Sequence, residues 1–260
     1  KVCARELAAR VVEARSLLGT APAEAVTLLE STCTDDPSEP TFRLELAEAQ
    51  IASGRPEQAL ATLAAAQASG TLTRPLRSRA AHIEASVLFR AGRRPEAEAA
   101  LARAIAATSD EADARFAKAR QRALLDKEAA ATLGRVLFGD ERGRALDPAL
   151  AVYLLTEFAQ KAPEDALGPY LVGRQLATRD PKLAVPHFVR ACSLSNPDMT
   201  TLDPIFRLEC RRLLVETAYL AGDMTTARFW ADFLSTHAER EADRLRAQDY
   251  LERIAWKAAS

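Results

Sequence analysis

The sequence contains little glycine, few aromatic residues and few of the β-branched residues that sheets favour. Only 10 of its 260 residues are glycine and 6% are aromatic, whereas alanine occupies 54 positions. Alanine has the highest helix propensity, and strands are enriched in β-branched and aromatic residues. The composition therefore excludes a sheet-rich fold and predicts an all-α protein.

An excess of either charge is also missing. The chain carries 35 Lys and Arg against 36 Asp and Glu, which gives a formal net charge of -1. Proteins that bind nucleic acids typically carry a basic excess, so we predict no nucleic-acid partner. No apolar run approaches the roughly 18 residues that a membrane-spanning helix needs, so we predict no direct membrane insertion.

Motifs that perform catalysis or bind metals are absent from the sequence. The three histidines, His82, His187 and His237, have no partner at the spacing of metal ligands. The sequence contains no HExxH, CxxC or GxSxG motif and no phosphate-binding glycine loop. We therefore predict that the protein is not an enzyme and that it holds no metal or cofactor.

A short sequence pattern recurs six times along the chain. In each case a helical run ends at a glycine or polar turn, and an alanine follows a few positions into the next helix. The recurring alanines are Ala25, Ala59, Ala97, Ala151, Ala184 and Ala227. Their separations are 34, 38, 54, 33 and 43 residues. Steps near 34 are typical of stacked helical hairpins, each of which buries its apolar stripe against its neighbours.

Apolar periodicity and turn residues predict where the helices lie. The expected helices are 2–18, 22–33, 40–53, 56–69, 74–91, 95–107, one from 109 to 126 or 138, 148–161, 164–178, 181–195, 203–221, 224–238 and 240–257. The 54-residue separation between Ala97 and Ala151 interrupts this regular spacing. It predicts N-terminal hairpins over 1–107, an irregular connector over 108–146 and C-terminal hairpins over 147–260, with a hinge at 139–143.

The predicted hairpins share a pattern of small and large residues. The residues that fit it are Leu46, Ala47, Ala59, Leu63, Ala66, Ala97, Leu101, Ala104, Ala151, Leu155, Phe158, Pro163, Ala184, Phe188, Ala191 and Pro197. This pattern resembles the tetratricopeptide repeat family. The last unit departs from it, because Ala231 and Leu234 stand where a large and a small residue are typical.

The resemblance implies a right-handed superhelical solenoid of stacked antiparallel hairpins, with a groove lined by the first helix of each hairpin. It also implies a non-catalytic scaffold or adaptor that binds a partner protein or peptide, as part of a larger polypeptide or assembly. The alternative is a ligand- or peptide-sensing regulatory domain of a larger signalling or envelope protein. Members that bind chaperone tails need an Asn-rich groove, and the single asparagine, Asn196, argues against that subtype.

Helix phase predicts which residues face the groove. On the first helices of the third and last hairpins, the residues opposite the seam between hairpins are Arg79, His82, Phe89, Arg90, Arg212, Glu216 and Tyr219. Residues 74–94 carry six arginines against one acid, whereas residues 24–57 carry eight acids against two arginines. The two segments could pair with each other, or part of the arginine cluster could receive an acidic peptide.

The four cysteines could form two disulfides. Cys3 and Cys33 lie at the open end of the first predicted hairpin, and Cys192 and Cys210 flank the loop 196–202. Such pairs favour an oxidising, extracytoplasmic location, either periplasmic or membrane-tethered. Alternatively, all four are small buried residues in a cytoplasmic protein. The chain does not begin with Met, so we expect a fragment of a longer polypeptide.

Overall fold

A computed structural model of the chain describes residues 2–125, 127–140, 144–194 and 204–259, and these ranges are mostly helical. They contain no strand, which confirms the predicted all-α class. The chain divides into two compact units, Lys1–Leu146 and Asp147–Ser260. The sequence-based division of the first 146 residues into hairpins and a connector stays a prediction.

The first unit consists of helical hairpins followed by short helical segments. Its elements are α1 (Ala4–Leu17), α2 (Pro22–Asp35), α3 (Pro40–Ala52), α4 (Pro56–Ala68), α5 (Arg74–Arg90), α6 (Arg94–Ala107), α7 (Glu111–Leu124), α8 (Lys127–Ala129), a π-helical turn (Ala130–Gly134) and α9 (Arg135–Phe138). From α1 to α7 each helix packs on the next, and α3 also packs on α1 and α5. Contacts between alternate helices are expected of stacked hairpins.

The described residues of the second unit form six helices. They are α10 (Pro148–Lys161), α11 (Leu167–Leu176), α12 (Pro181–Leu194), α13 (Pro204–Ala221), α14 (Met224–His237) and α15 (Glu241–Ala259). Consecutive helices pack on one another, and α13 also packs on α15. The predicted helices agree with these bounds to within a few residues at each end. Asn196, Pro197 and residues 141–143 of the predicted hinge lie outside the described residues.

The recurring turn explains why glycine and proline occur at fixed places in the repeat. Gly54 and Gly92 end their turns with φ angles of 76° and 75°, a conformation that glycine adopts without the strain of a side chain. Pro56 then occupies the first position of α4, where its fixed φ suits a helix and its missing N–H costs nothing. The turn sequence therefore both ends one helix and begins the next.

Small residues line the seams between helices. All six recurring alanines are buried, and five of them are completely inaccessible to solvent. Gly168 at the start of α11 shows how closely the helices approach, because a Cβ built on it would lie 2.9 Å from Ala159 Cα on α10. Any side chain at position 168 would therefore push α10 and α11 apart.

We expect the Gly168→Ala variant to be less stable by about 1–3 kcal/mol, because an added methyl group overpacks this seam. Alanine has the better helix propensity, so only the steric clash can make the variant less stable. The matched control is Gly19→Ala, where a Cβ would meet nothing within 4 Å. Urea unfolding of both variants measures the difference, and a Gly168→Ala protein as stable as the control would contradict the close approach.

The cysteines are all free thiols in this structure. Cys192 on α12 and Cys210 on α13 are buried, with their Sγ atoms 3.4 Å apart. The contact with Cys192, together with burial, raises the pKa of the Cys210 thiol. Cys3 is exposed, and Cys33 is half-buried, with its pKa raised to about 11 by burial. Both disulfides stay predictions, and the placement of Cys192 beside Cys210 favours the second.

We expect the oxidant diamide to remove one hydrogen from each of Cys192 and Cys210 and to join their sulfurs. The bond would connect the consecutive helices α12 and α13 and stabilise the unit by about 3 kcal/mol. The readout is a count of free thiols on denatured, unreduced protein after treatment, with peptide mapping of the bridge. Four remaining thiols would contradict the pairing, and a bridge to Cys3 or Cys33 would show that the wrong pair had formed.

Candidate functional site

The first unit contains a cavity of about 450 Å³, a volume in the range of ligand-binding clefts. Its walls come from α3, α5, α7 and α9 and from the turn after α1. Of these helices, α3 and α5 are the first helices of predicted hairpins, which the resemblance expects to line a groove, whereas α7 and α9 belong to the predicted connector. We call it the α5 cavity, because α5 supplies the largest share of its lining.

The α5 cavity contains three of the four residues that were predicted on the third hairpin. Arg79, His82 and Arg90 all line it. Phe89 is not among the lining residues: its ring stacks on the ring of Phe138, with the two centroids 4.1 Å apart. Phe89 therefore packs α5 against α9.

The three residues predicted on α13 lie against the last helix of the second unit. Arg212 Nη1 is 3.4 Å from an oxygen of Asp243, and Glu216 accepts a hydrogen bond of 3.4 Å from Arg246. The ring of Tyr219 packs edge-on against Tyr250. Since α15 occupies the position of a further first helix, these side chains are engaged within the unit, and their role in partner binding stays a prediction.

Several cavity residues come from the segment that the repeat pattern did not cover. Phe116 and Arg120 lie one turn apart on α7, and Phe138 ends α9. Their four-residue spacing on α7 is the signal that could have placed the first two on one helix face. No comparable signal marks Phe138, because its position depends on the π-helical turn before α9.

A buried carboxylate holds the arginine at one side of the cavity. Glu45 on α3 is 3% exposed and accepts hydrogen bonds of 2.6 and 2.9 Å from Arg15 and one of 2.7 Å from Arg79. Burial raises the pKa of Glu45, but the bonds from the two arginines outweigh it, so the net shift is downward. Arg79 also donates to Glu48, whose pKa is raised by burial. The charge of Arg79 is thus matched by carboxylates.

The arginines at the opposite side of the cavity bind carbonyl groups instead. Arg120 donates to the carbonyl of Leu137 at 2.8 Å, and Arg90 donates to the carbonyl of Phe138 at 3.0 Å. These carbonyls belong to the last turn of α9, where helical partners are missing and the helix carries a partial negative charge. The end of α9 therefore positions both guanidinium groups.

Arg120 is the most deeply buried of these cations. Its guanidinium lies 4.2 Å from the ring centroid of Phe116 and 4.8 Å from that of Phe138. Burial and the charge of Arg90 lower the pKa of Arg120 to about 9, so the group stays protonated at neutral pH. Burial also lowers the pKa of Arg90.

His82 forms part of the cavity wall between the two groups of arginines. Its Nε2 lies 2.8 Å from an oxygen of Asp113, and its Nδ1 lies 3.4 Å from Arg120. Burial and the charge of Arg120 lower the pKa of His82, so the ring is neutral at pH 7.

The described residues contain no group of three or more His, Cys, Asp or Glu side chains that could hold a metal ion. In the same ranges, no helix combines the length and the apolar character needed to cross a membrane.

Comparison with known protein families finds a match in the first third of the chain. The tetratricopeptide repeat model matches residues 17–80, from the end of α1 into α5. The resemblance seen in the sequence is therefore confirmed over this segment, which carries tetratricopeptide repeats. No curated protein sequence matches the chain.

Similar solved structures include a "P58(IPK) TPR Domain", with 15% identity and a TM-score of 0.38, which covers 95% of this chain and 64% of that one. Pseudomonas aeruginosa PilF has 15% identity and a TM-score of 0.40, with 94% and 96% covered. The TPR2AB domain of yeast Sti1, in complex with pHSP90, has 18% identity and a TM-score of 0.37, with 98% of each chain covered.

We expect the Glu45→Gln variant to lose about 1–3 kcal/mol of stability, because the buried carboxylate joins arginines from α1 and α5. The matched control is Glu96→Gln, which removes the carboxylate of an exposed pair with Arg93 and should change the stability little. Urea unfolding at pH 7 gives both values. Equal stability of the two variants would show that Glu45 does not link these hairpins.

Proposed function

We propose that this chain is a non-catalytic protein-interaction scaffold or adaptor that binds a peptide segment of a partner protein in the α5 cavity. The observation that carries the proposal is the composition of the cavity wall. Charged groups from α3, α5 and α7 stand beside the apolar side chains of Ile51, Ile83 and Phe116. Extended peptides are typically recognised by such a combination, in which apolar surface provides affinity and polar groups fix the register.

The polar groups of the cavity are held in place before any partner binds. Arg79 is fixed by Glu45 and Glu48, and Arg90 and Arg120 are fixed by the carbonyl groups at the end of α9. Side chains that are already ordered lose little entropy on binding. This preorganisation supports a binding role for the cavity.

The proposal can be tested by selecting ligands from a random peptide display library on the folded protein. Selected peptides should bind the wild type and should lose affinity by about tenfold or more for Ser86→Tyr, which would fill the cavity. The matched control is Ser16→Tyr on α1, at an exposed position outside the cavity lining. Fluorescence anisotropy with labelled peptides measures each affinity.

Two results would contradict the proposed function. One is a selection that yields no peptide with measurable affinity for the folded protein. The other is an equal affinity of the selected peptides for wild type and Ser86→Tyr, since binding would then take place elsewhere. Circular dichroism of both tyrosine variants checks that each is folded.

A further inference from the structure

We propose that Arg90 and Arg120 form a carboxylate-binding subsite within the α5 cavity, so that the bound peptide carries an acidic group at this position. This inference rests on the proposed function and specifies its ligand. It predicts that a single carboxylate, flanked by apolar peptide residues, lies between the two guanidinium groups.

The charges of the cavity are balanced at some arginines and not at others. Among the four arginines that line it, Arg79 pairs with Glu45 and Glu48, and Arg144 pairs with Asp140. Arg90 and Arg120 have no carboxylate within ion-pair distance in the described part of the chain. The charges of Asp140 and Asp113 act on Arg90 and Arg120, respectively, without forming an ion pair. The positive charge that lacks an ion pair is therefore concentrated on Arg90 and Arg120.

The end of α9 compensates this charge only in part. A helix C-terminus carries about half an elementary negative charge, whereas the two guanidinium groups carry two positive ones. Arg90 and Arg120 also repel each other, which is one cause of the lowered pKa of Arg120. A carboxylate between them would offset this repulsion with its negative charge. It would also form two charge-assisted hydrogen bonds in a site that is partly shielded from water.

Both arginines keep donors for a ligand. A guanidinium has five N–H donors. Within the described residues, Arg120 makes its hydrogen bonds through Nε and Nη1, and Arg90 makes its bond through Nη1. The Nη2 group of each side chain therefore has no hydrogen-bond partner there. These groups are available to the two oxygens of a carboxylate.

The surroundings favour a peptide carboxylate over the phosphates of a nucleic acid. A nucleic-acid backbone carries a charge on every nucleotide, and the carboxylate of Glu48, which also lines the cavity, would repel it. Ile83 and Phe116 instead offer apolar contacts next to the arginines. One isolated acid in an otherwise apolar segment matches this arrangement.

The test uses peptides selected from the display library and resynthesised in three forms. These forms are the original, a form with each Glu or Asp replaced by Gln or Asn, and a form with an amidated C-terminus. The neutral forms distinguish a side-chain carboxylate from a terminal one. We expect one of them to bind the wild type roughly 30-fold or more weakly, which is the usual effect of removing one partner of a desolvated charge pair.

Protein variants test whether this loss of affinity arises at the subsite. The Arg90→Met variant should bind the acidic peptide more weakly by a similar factor. Its affinity should fall little further when the peptide is in the neutral form, because the two changes remove the same interaction. Arg90→Lys should retain part of the affinity. The matched control is Arg77→Met, which also removes one positive charge but lies at an exposed position outside the cavity lining. Arg90 is preferred to Arg120, whose replacement would also disturb two aromatic rings.

The outcomes separate this inference from the proposed function. If Ser86→Tyr blocks binding but acidic and neutral peptides bind equally well, the cavity binds peptides and the carboxylate subsite is wrong. Equal losses for Arg90→Met and Arg77→Met would also overturn it, since only long-range charge would then matter. Arg90-dependent binding of a single-stranded oligonucleotide, without any preference for acidic peptides, would overturn it in favour of phosphate recognition.

Discussion

Close approach between helices is the constraint on which the rest of this structure depends. The recurring alanines occupy the seams between helices, and Gly168 lies nearer to the backbone of α10 than any side chain would permit. Dispersion contacts fall off steeply with distance, so a seam that opens by half an ångström loses a substantial part of its attraction. Stacked hairpins obtain much of their stability from contacts with their neighbours, so each seam stabilises both of the hairpins that it joins.

The ion pairs of the first unit connect the same helices that the seams bring together. Glu45 on α3 contacts Arg15 on α1 and Arg79 on α5, so one buried carboxylate links three consecutive first helices. Buried ion pairs contribute little net stability compared with apolar packing, but breaking one is costly. In this unit their effect is to fix the side chain of Arg79 at the cavity. Packing therefore sets the distance between hairpins, and the ion pairs fix the side chains on the cavity face.

Much of the fold could be predicted from the sequence, because local signals agree with one another. The glycine or polar residues of each turn and the buried alanine that follows indicate the helix bounds to within a few residues. The site was harder to predict. Arg79, His82 and Arg90 were placed by helix phase alone, whereas the same reasoning on α13 could not include α15, which packs against Arg212 and Tyr219. Phase gives the face of a helix, but only packing decides what covers that face.

The missing part of the site comes from the segment in which the repeat is interrupted. There the helical ladder passes through a π-helical turn, and Gly134 leaves room for the ring of Phe89, which would lie 2.6 Å from an added Cβ. The ring then stacks on Phe138, and the last carbonyls of α9 come within reach of two arginines. A regular repeat would have continued the helix and satisfied those carbonyls internally. The interruption thus creates the acceptors that hold Arg90 and Arg120, in keeping with the frequent occurrence of π-helical turns at functional sites.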